Sequence, residues 1–295
     1  MTDFAGHALP GVTFFFFGVC YAVQASLALL RGQRFLSPPL PPRDKRPKDW
    51  RQNLPKIGLV KVVFCIIGLL GIFFYPLGSN RLVLMDWKDP ELQFMYHISW
   101  QHGTMYFLFL ISGLVDIVSQ CWLARQQMKL EVAALAFAFQ GTTILFISHI
   151  QGRDALQVHG HILLLIPQIV IVLILVSELW CPDQPVLWIA KTWMFLTFGS
   201  WFPQLGSILY LPVTGHPWRA DKHGDVMFLT IFFFWHLILN AVLIVGIYGL
   251  CNLWHHRRLS HQRAKGAGYQ LCPTDVNTEE LKKLMIGLNQ KDGGI

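Results

Sequence analysis

The sequence predicts an all-α membrane protein, a bundle of seven transmembrane helices. Hydrophobic residues make up 53% of the 295 residues and charged residues only 14%. The mean hydropathy is +0.43, and the apolar residues gather in long continuous runs. An ordinary soluble domain carries about 25% charged residues, so this composition cannot supply a polar surface for a soluble protein of this length. The expected solvent of the chain is therefore lipid.

Seven stretches are long enough to cross a bilayer. A span needs about 20 mostly apolar residues, because the hydrocarbon core is about 30 Å thick and a helix rises about 1.5 Å per residue. The predicted spans are 8–30, 54–76, 99–123, 129–150, 157–179, 186–211 and 225–251. They define a predicted membrane domain over residues 1–254 and a polar tail over 255–295. Barrel strands are not expected, since they alternate polar and apolar residues over about ten positions.

Basic residues fall mainly on one side of the predicted spans. The segment after the first span and the tail after the seventh carry most of them, including Arg31, Arg43, Lys45, Arg51, Arg257, Arg263 and Lys282. The other side carries Arg81, Lys88, Arg153, Arg219 and Lys222. Cytoplasmic loops are enriched in Lys and Arg. We therefore expect the N-terminus outside or in the lumen, and the C-terminus in the cytosol.

Four ionisable residues within the predicted spans stand out. Such residues are costly in lipid and are candidates for function. Lys61 and Asp116 each lie about 10 Å from the cytosolic end of their spans at 1.5 Å per residue, so they form a candidate ion pair. The alternative is that Lys61 extends its ammonium group to the lipid headgroups. Glu178 and Lys191 flank the short connection between spans five and six and form a second candidate pair.

Most of the twelve histidines fall on the outer side of the predicted spans. Neutral imidazole is a common ligand of zinc and also binds copper and iron. A candidate site for zinc or another transition metal therefore consists of His102, His149, His161 and His236. Coordination of a haem iron by two of these histidines is a less favoured interpretation. Because the chain has no HExxH motif, a hydrogen-bonded network that fixes the packing of the helices is the favoured interpretation, with the metal site as the alternative.

Cysteine and glycine residues give two further expectations. Three cysteines near the cytosolic ends of spans are candidates for palmitoylation: Cys121, Cys181 and Cys251. No cysteine falls in a predicted outer loop, so no lumenal disulfide is expected. Gly199 and Gly206 in span six are expected to permit a close approach of another helix.

Several motifs resemble the transmembrane protein 45 family. They are GHALPG at 6–11, WQHGTMY at 100–106, SGLVD at 112–116, SWFPQLG at 200–206 and FWH at 234–236. The resemblance runs from about residue 3 to about residue 250 and is that of a divergent, 45-like member. It implies a multi-pass protein of the Golgi, the endosome or the plasma membrane, without an established activity. The positions that match the family include His102, Asp116, His149, His161, Glu178 and His236.

The motifs of common enzyme classes do not occur in this sequence. The chain has no nucleophile motif, no P-loop and no dinucleotide fingerprint, and no nucleic-acid module accompanies its net charge of +7. The leading expectation is a non-enzymatic protein of the bilayer that acts through membrane or cytosolic proteins, or as a homo-oligomer. The alternative is a metal-binding protein, either a metal-dependent enzyme or a metal handler. A receptor coupled to G proteins is disfavoured, because span three ends without an acidic-Arg-aromatic motif.

Overall fold

The computed structural model describes residues 4–32, 56–122, 127–213 and 215–267. It divides into two compact units, one up to Gly249 and one from Leu250. The described residues form seven helices: α1 (Phe4–Arg31), α2 (Lys56–Phe74), α3 (His97–Trp122), α4 (Gln127–His149), α5 (Ala155–Trp180), α6 (Pro185–Tyr210) and α7 (His223–Ala267). Over the same residues there is no strand beyond an isolated bridge between Met85 and Phe94. The prediction of an all-α fold is confirmed.

Six of these helices are long and apolar enough to cross a membrane. They are α1, α2, α3, α4, α5 and α7. Helix α6 is also 26 residues long, but it is not among these six. Its polar residues include Thr192 and Thr197, which are buried against the neighbouring helices. The composition of α6 is therefore that of an inner helix, which contacts protein more than lipid.

Helices α1 and α6 pack closely at glycine positions. A Cβ atom added at Gly199 would meet the backbone of Phe15, and one added at Gly18 would lie 2.9 Å from the backbone nitrogen of Leu196. Helices α2 and α3 cross in the same way, because a Cβ at Gly58 would lie 3.0 Å from the carbonyl oxygen of Gly113. Glycine at these points lets two backbones approach each other directly.

The first six helices are packed in a series. The closely packed neighbours are α2 with α3, α3 with α4, α4 with α5, α5 with α6, and α6 with α1. Helices α1 and α2 are the two ends of this series, and over the described residues they are not closely packed against each other. The ring of Phe14 on α1 reaches the centre, with ring centroids 5.1 Å from Phe109 and 4.9 Å from Phe198.

Helix α7 continues beyond the predicted span, which ended at residue 251. Within the first unit four hydrogen bonds join it to α5 and α6, two of them through Ser200 of α6. Trp193 Nε1 donates to the carbonyl of Leu237 at 2.9 Å, and His159 Nε2 lies 2.8 Å from Thr230 Oγ1. The predicted basic segment after span one and the tail beyond residue 267 lie outside the described residues.

Candidate functional site

A cavity of about 90 Å³ lies within the bundle of α1 to α6, and all six helices line it. Most of its lining side chains are aromatic or aliphatic, such as Phe14, Phe17, Met105 and Phe198. On α1 the lining extends from Gly6 to Tyr21, which is about 22 Å at 1.5 Å per residue. The cavity is therefore long, narrow and mostly apolar.

Histidines cluster at one end of the bundle, which we call the histidine end: His7, His102, His149 and His161. The ring centroids of His102 and His149 are 4.9 Å apart, those of His149 and His161 are 5.5 Å apart, and those of His7 and His161 are 5.6 Å apart. Three of the four line the cavity, since His149 is not among its lining residues. The histidine end therefore brings together side chains from α1, α3, α4 and α5.

Hydrogen bonds to neighbouring carbonyl groups set the tautomers at the histidine end. His161 Nδ1 lies 2.7 Å from the carbonyl oxygen of Gln157, and His149 Nδ1 lies 2.8 Å from Gln101 Oε1. Because these oxygens only accept, each Nδ1 carries the proton, and in the neutral ring Nε2 becomes an acceptor. His161 is only 3% exposed, and its Nε2 has no hydrogen-bond partner among the described residues.

The predicted metal set is assembled only in part. His102, His149 and His161 are neighbours, but His236 lies beside Ser200 and Trp201, with Nδ1 3.0 Å from Ser200 Oγ. In the part of the chain that the structure describes, no group of three or more His, Cys, Asp or Glu side chains is arranged to hold a metal ion. The zinc or other transition-metal site remains a prediction.

Sequence reasoning missed His7 as a member of the cluster. His7 lies in the first turn of α1, and His102 lies near the start of α3 at the same end of the bundle. Its position just before the first predicted span places it at the depth of the other outer histidines. A comparison of the membrane depths of all the outer histidines would have grouped His7 with the others. The spacing of residues along a single span could not, because His7 belongs to another helix.

The predicted pair Lys61 and Asp116 lies near the other end of the cavity. Lys61 Nζ is 2.6 Å from Asp116 Oδ2 and 3.4 Å from Ser112 Oγ. Both charged residues are buried, at 7% and 3% exposure, and Lys61 lines the cavity. Because Asp116 lies within ion-pair distance, Lys61 does not present an uncompensated charge to the cavity.

The second predicted pair lies between α5 and α6. Lys191 Nζ donates to both carboxylate oxygens of Glu178 at 2.7 Å. The same ammonium group lies 5.4 Å from the ring centroid of Tyr21 on α1, which is a cation–π distance. Tyr21 lines the cavity, so this pair links α1, α5 and α6 beneath the apolar lining.

Two further findings concern residues outside the cavity. Glu131 accepts hydrogen bonds from Ser119 at 3.0 Å and from Gln120 at 2.9 Å, and no sequence pattern singled it out.

Cys121 and Cys181 are exposed and Cys251 is half-buried. The palmitoylation of these cysteines remains a prediction.

The helices and the cavity define the class of the molecule, a multi-pass helical membrane protein with an internal cavity. The chain is 32% identical over 283 residues to transmembrane epididymal protein 1 of Rattus norvegicus, covering 92% of both chains. It is 35% identical to transmembrane epididymal protein 1A of Mus musculus, over 86% of this chain and 83% of the relative. The Homo sapiens transmembrane epididymal protein 1 is 34% identical over 75% of this chain and 80% of its own length.

The chain belongs to the family of these transmembrane epididymal proteins. In addition, residues 128–249 match a family described as "Family of unknown function (DUF716)". All three relatives are named as transmembrane proteins, which supports the prediction of an integral membrane protein. The resemblance to the transmembrane protein 45 family remains a prediction.

Proposed function

We propose that this protein binds an elongated apolar molecule from the bilayer inside its helix bundle, without catalysing a reaction on it. The observation that carries the proposal is the cavity itself, which six helices line mostly with aromatic and aliphatic side chains. Ligand sites are concave, mainly apolar and supplied with a few polar groups, and the lining of this cavity has that composition. At about 90 Å³ the cavity is smaller than the roughly 300–1,000 Å³ of such sites, so in this proposal the ligand separates α1 from α2 as it enters. The lack of a catalytic motif in the sequence favours binding over catalysis.

The packing of α1 and α2 supports entry of the ligand from the membrane. Both helices line the cavity, through residues such as Phe17 on α1 and Phe64 on α2. These two helices are not closely packed against each other over the described residues. In this proposal a lipid-soluble molecule enters laterally between α1 and α2, and need not cross a polar surface to reach the cavity.

We also propose that α6 spans the membrane, which gives seven spans. Its 26 residues amount to about 39 Å at 1.5 Å per residue, longer than the hydrocarbon core. The short connection from Trp180 to Pro185 leads from one long helix directly into the next. With seven spans, and with the basic segments in the cytosol, the N-terminus lies outside or in the lumen and the C-terminus in the cytosol.

The proposed function leaves a role for the partners that the sequence predicts. Membrane or cytosolic proteins of the Golgi, the endosome or the plasma membrane would distinguish the ligand-bound bundle from the empty one. A second copy of this chain is another candidate partner. These assignments of partner and compartment remain predictions.

Photoaffinity labelling tests the binding proposal directly. A long-chain lipid with a diazirine in its chain is irradiated with the full-length protein in lipid vesicles, and the labelled peptides are mapped. We expect saturable labelling of cavity residues such as Phe64 and Met105, suppressed by an excess of the same lipid without diazirine. Exposed residues of α7 such as Ile238 and Val242 are the internal control, because bulk lipid labels them without saturation. Labelling that fails to saturate at the cavity residues would contradict the proposal.

A further inference from the structure

The polar groups of the cavity indicate which kind of lipid it accepts. We propose that the ligand is an uncharged lipid with a hydroxyl group, and that this hydroxyl donates a hydrogen bond to His161 at the histidine end. The inference rests on the proposed function and adds the chemistry of the ligand and the residue that recognises it.

The charge of the lining excludes a charged ligand. Lys61 is the one Asp, Glu, Lys or Arg side chain among the described lining residues, and Asp116 lies 2.6 Å from its ammonium group. A carboxylate or phosphate placed in the cavity would meet no free Lys or Arg side chain among the described lining residues, and a buried charge without a partner is costly. An amine would meet no free carboxylate. A neutral molecule is therefore the ligand class that this lining accepts.

The hydroxyl is assigned to the histidine end because Nε2 of His161 is an acceptor there without a hydrogen-bond donor among the described residues. The proton on Nδ1 of His161 is committed to the carbonyl of Gln157 at 2.7 Å. Its Nε2 is a buried acceptor without a partner among the described residues, and a buried polar group without a hydrogen bond is costly. A hydroxyl donates the missing bond, which a hydrocarbon, an ester or a ketone cannot do.

The remainder of the cavity fits an apolar chain or ring system. Below the histidine end the lining is provided by side chains such as Phe14, Phe17 and Phe109. Along α1 this apolar lining continues to Tyr21, about 22 Å from the first lining residue at 1.5 Å per residue. An elongated body with a single terminal hydroxyl would lie along this lining and pair its polar group with His161.

The test uses three photoreactive probes with the same alkyl chain, which end in a hydroxyl, a carboxylate or a methyl group. Each probe is titrated against the full-length protein in vesicles, and saturable labelling of cavity peptides is measured. The variants are His161→Phe and His102→Phe at the cavity, with His159→Phe as the matched control. His159 lies two positions away on the same helix, is bonded to Thr230 and does not line the cavity.

We expect the hydroxyl probe to bind about five to ten times more tightly than the methyl probe, the effect of one satisfied buried hydrogen bond. His161→Phe should remove this preference while the methyl probe still labels the cavity, which also shows that the variant is folded. His159→Phe should keep the preference, and so should His102→Phe, because the hydroxyl bonds to His161. Tighter binding of the carboxylate probe, or equal binding of all three, would overturn this inference and leave the proposed function standing. Failure of every probe to label saturably would overturn the proposed function as well.

Discussion

Lys61 of α2 and Asp116 of α3 form an ion pair where Gly58 and Gly113 let the backbones of their two helices approach closely. A Cβ atom at Gly58 would lie 2.9 Å from the Cβ of Asp116, and one at Gly113 would lie 3.0 Å from the Cβ of Lys61. The two glycines bring the backbones together, and the two charged side chains then meet across the crossing. The position of α2 beside the cavity therefore depends on both features.

Exchange of the two charges should preserve the pair. The single variants Lys61→Asp and Asp116→Lys each leave two like charges buried together, and loss of a buried partner costs about 3–5 kcal/mol. Both should reduce the yield of folded protein sharply. The double variant should recover most of the yield, as measured by size-exclusion chromatography of the fluorescently tagged protein.

An exposed ion pair serves as the control for this experiment. Arg219 and Asp221 lie in the loop before α7 with side chains 58% and 64% exposed, and hydrogen bonds from Arg219 lower the pKa of the Asp221 carboxylate. Exposed pairs contribute little to stability, so reversing either charge there should leave the yield unchanged. Lack of recovery in the Lys61 and Asp116 double variant would contradict the paired arrangement.

The pair of Glu178 and Lys191 should be replaceable by two apolar residues together, but not one at a time. Lys191→Met leaves the carboxylate of Glu178 buried without its partner, at a cost of about 3–5 kcal/mol. Adding Glu178→Leu removes that charge, and apolar replacement of a whole buried pair is often neutral. Thermal unfolding in detergent should therefore show a large loss for Lys191→Met and a small one for the double variant. Equal losses would argue against the ion pair as the dominant interaction of Glu178.

Gly199→Ala should destabilise the protein by disrupting the packing of α1 against α6. The added methyl group would meet the backbone of Phe15, which cannot move aside as a side chain can. Overpacking of this kind costs about 1–3 kcal/mol. The control is Gly246→Ala on α7, because no atom lies within 4 Å of the Cβ built there. A melting temperature unchanged in Gly199→Ala would contradict the close contact of α1 and α6.

Protease-sensitive tags test the orientation of the helices. A tag at Lys88, between α2 and α3, should be cleaved from outside or from the lumen. A tag at Lys45, which lies outside the described residues, should be cleaved only from the cytosol. The reverse pattern would contradict the orientation derived from the basic residues.

Two further tags test whether α6 is a span. One is placed at Asp183, between α5 and α6, and the other at Val213, after the end of α6. If α6 crosses the membrane, the tag at Asp183 is accessible from the cytosol and the tag at Val213 from the opposite side. Accessibility of both tags from the same side would leave the six helices that composition alone identifies.

The sequence predicted the helices well because each is a long apolar run. Helix α1 begins at Phe4 and α2 ends at Phe74, within a few residues of the predicted limits. Helix α6, Pro185–Tyr210, follows the mostly apolar stretch predicted at 186–211 within one residue at each end. The end of α7 beyond residue 251 was not predicted, because the residues there are polar and show no apolar run. A helix that lies outside the hydrocarbon core can form without such a run.

The candidate site was harder to predict, since it depends on which helices are neighbours. Equal depth in the membrane pointed to Lys61 and Asp116, because a charge in lipid has few alternatives to a partner. Depth in the membrane groups His7 with the other outer histidines, but only the packing of α1 and α5 against α6 brings its ring to 5.6 Å from that of His161. The cavity itself has no sequence signal, because its Phe and Met residues are the same types that fill a solid core.

The amount of lipid that remains bound to the purified protein tests the central claim, that the cavity holds one apolar molecule. The wild-type protein is extracted from membranes, washed in detergent and analysed for lipid by mass spectrometry, beside Cys65→Phe and Thr13→Phe, which place a ring in the cavity. The control is Cys20→Phe, because Cys20 is half-buried on α1 and does not line the cavity. We predict about one tightly held neutral lipid per chain in the wild type and in Cys20→Phe, and its loss in both filled variants while they remain folded. No stoichiometric lipid in the wild type, or the same amount in the filled variants, would contradict the account.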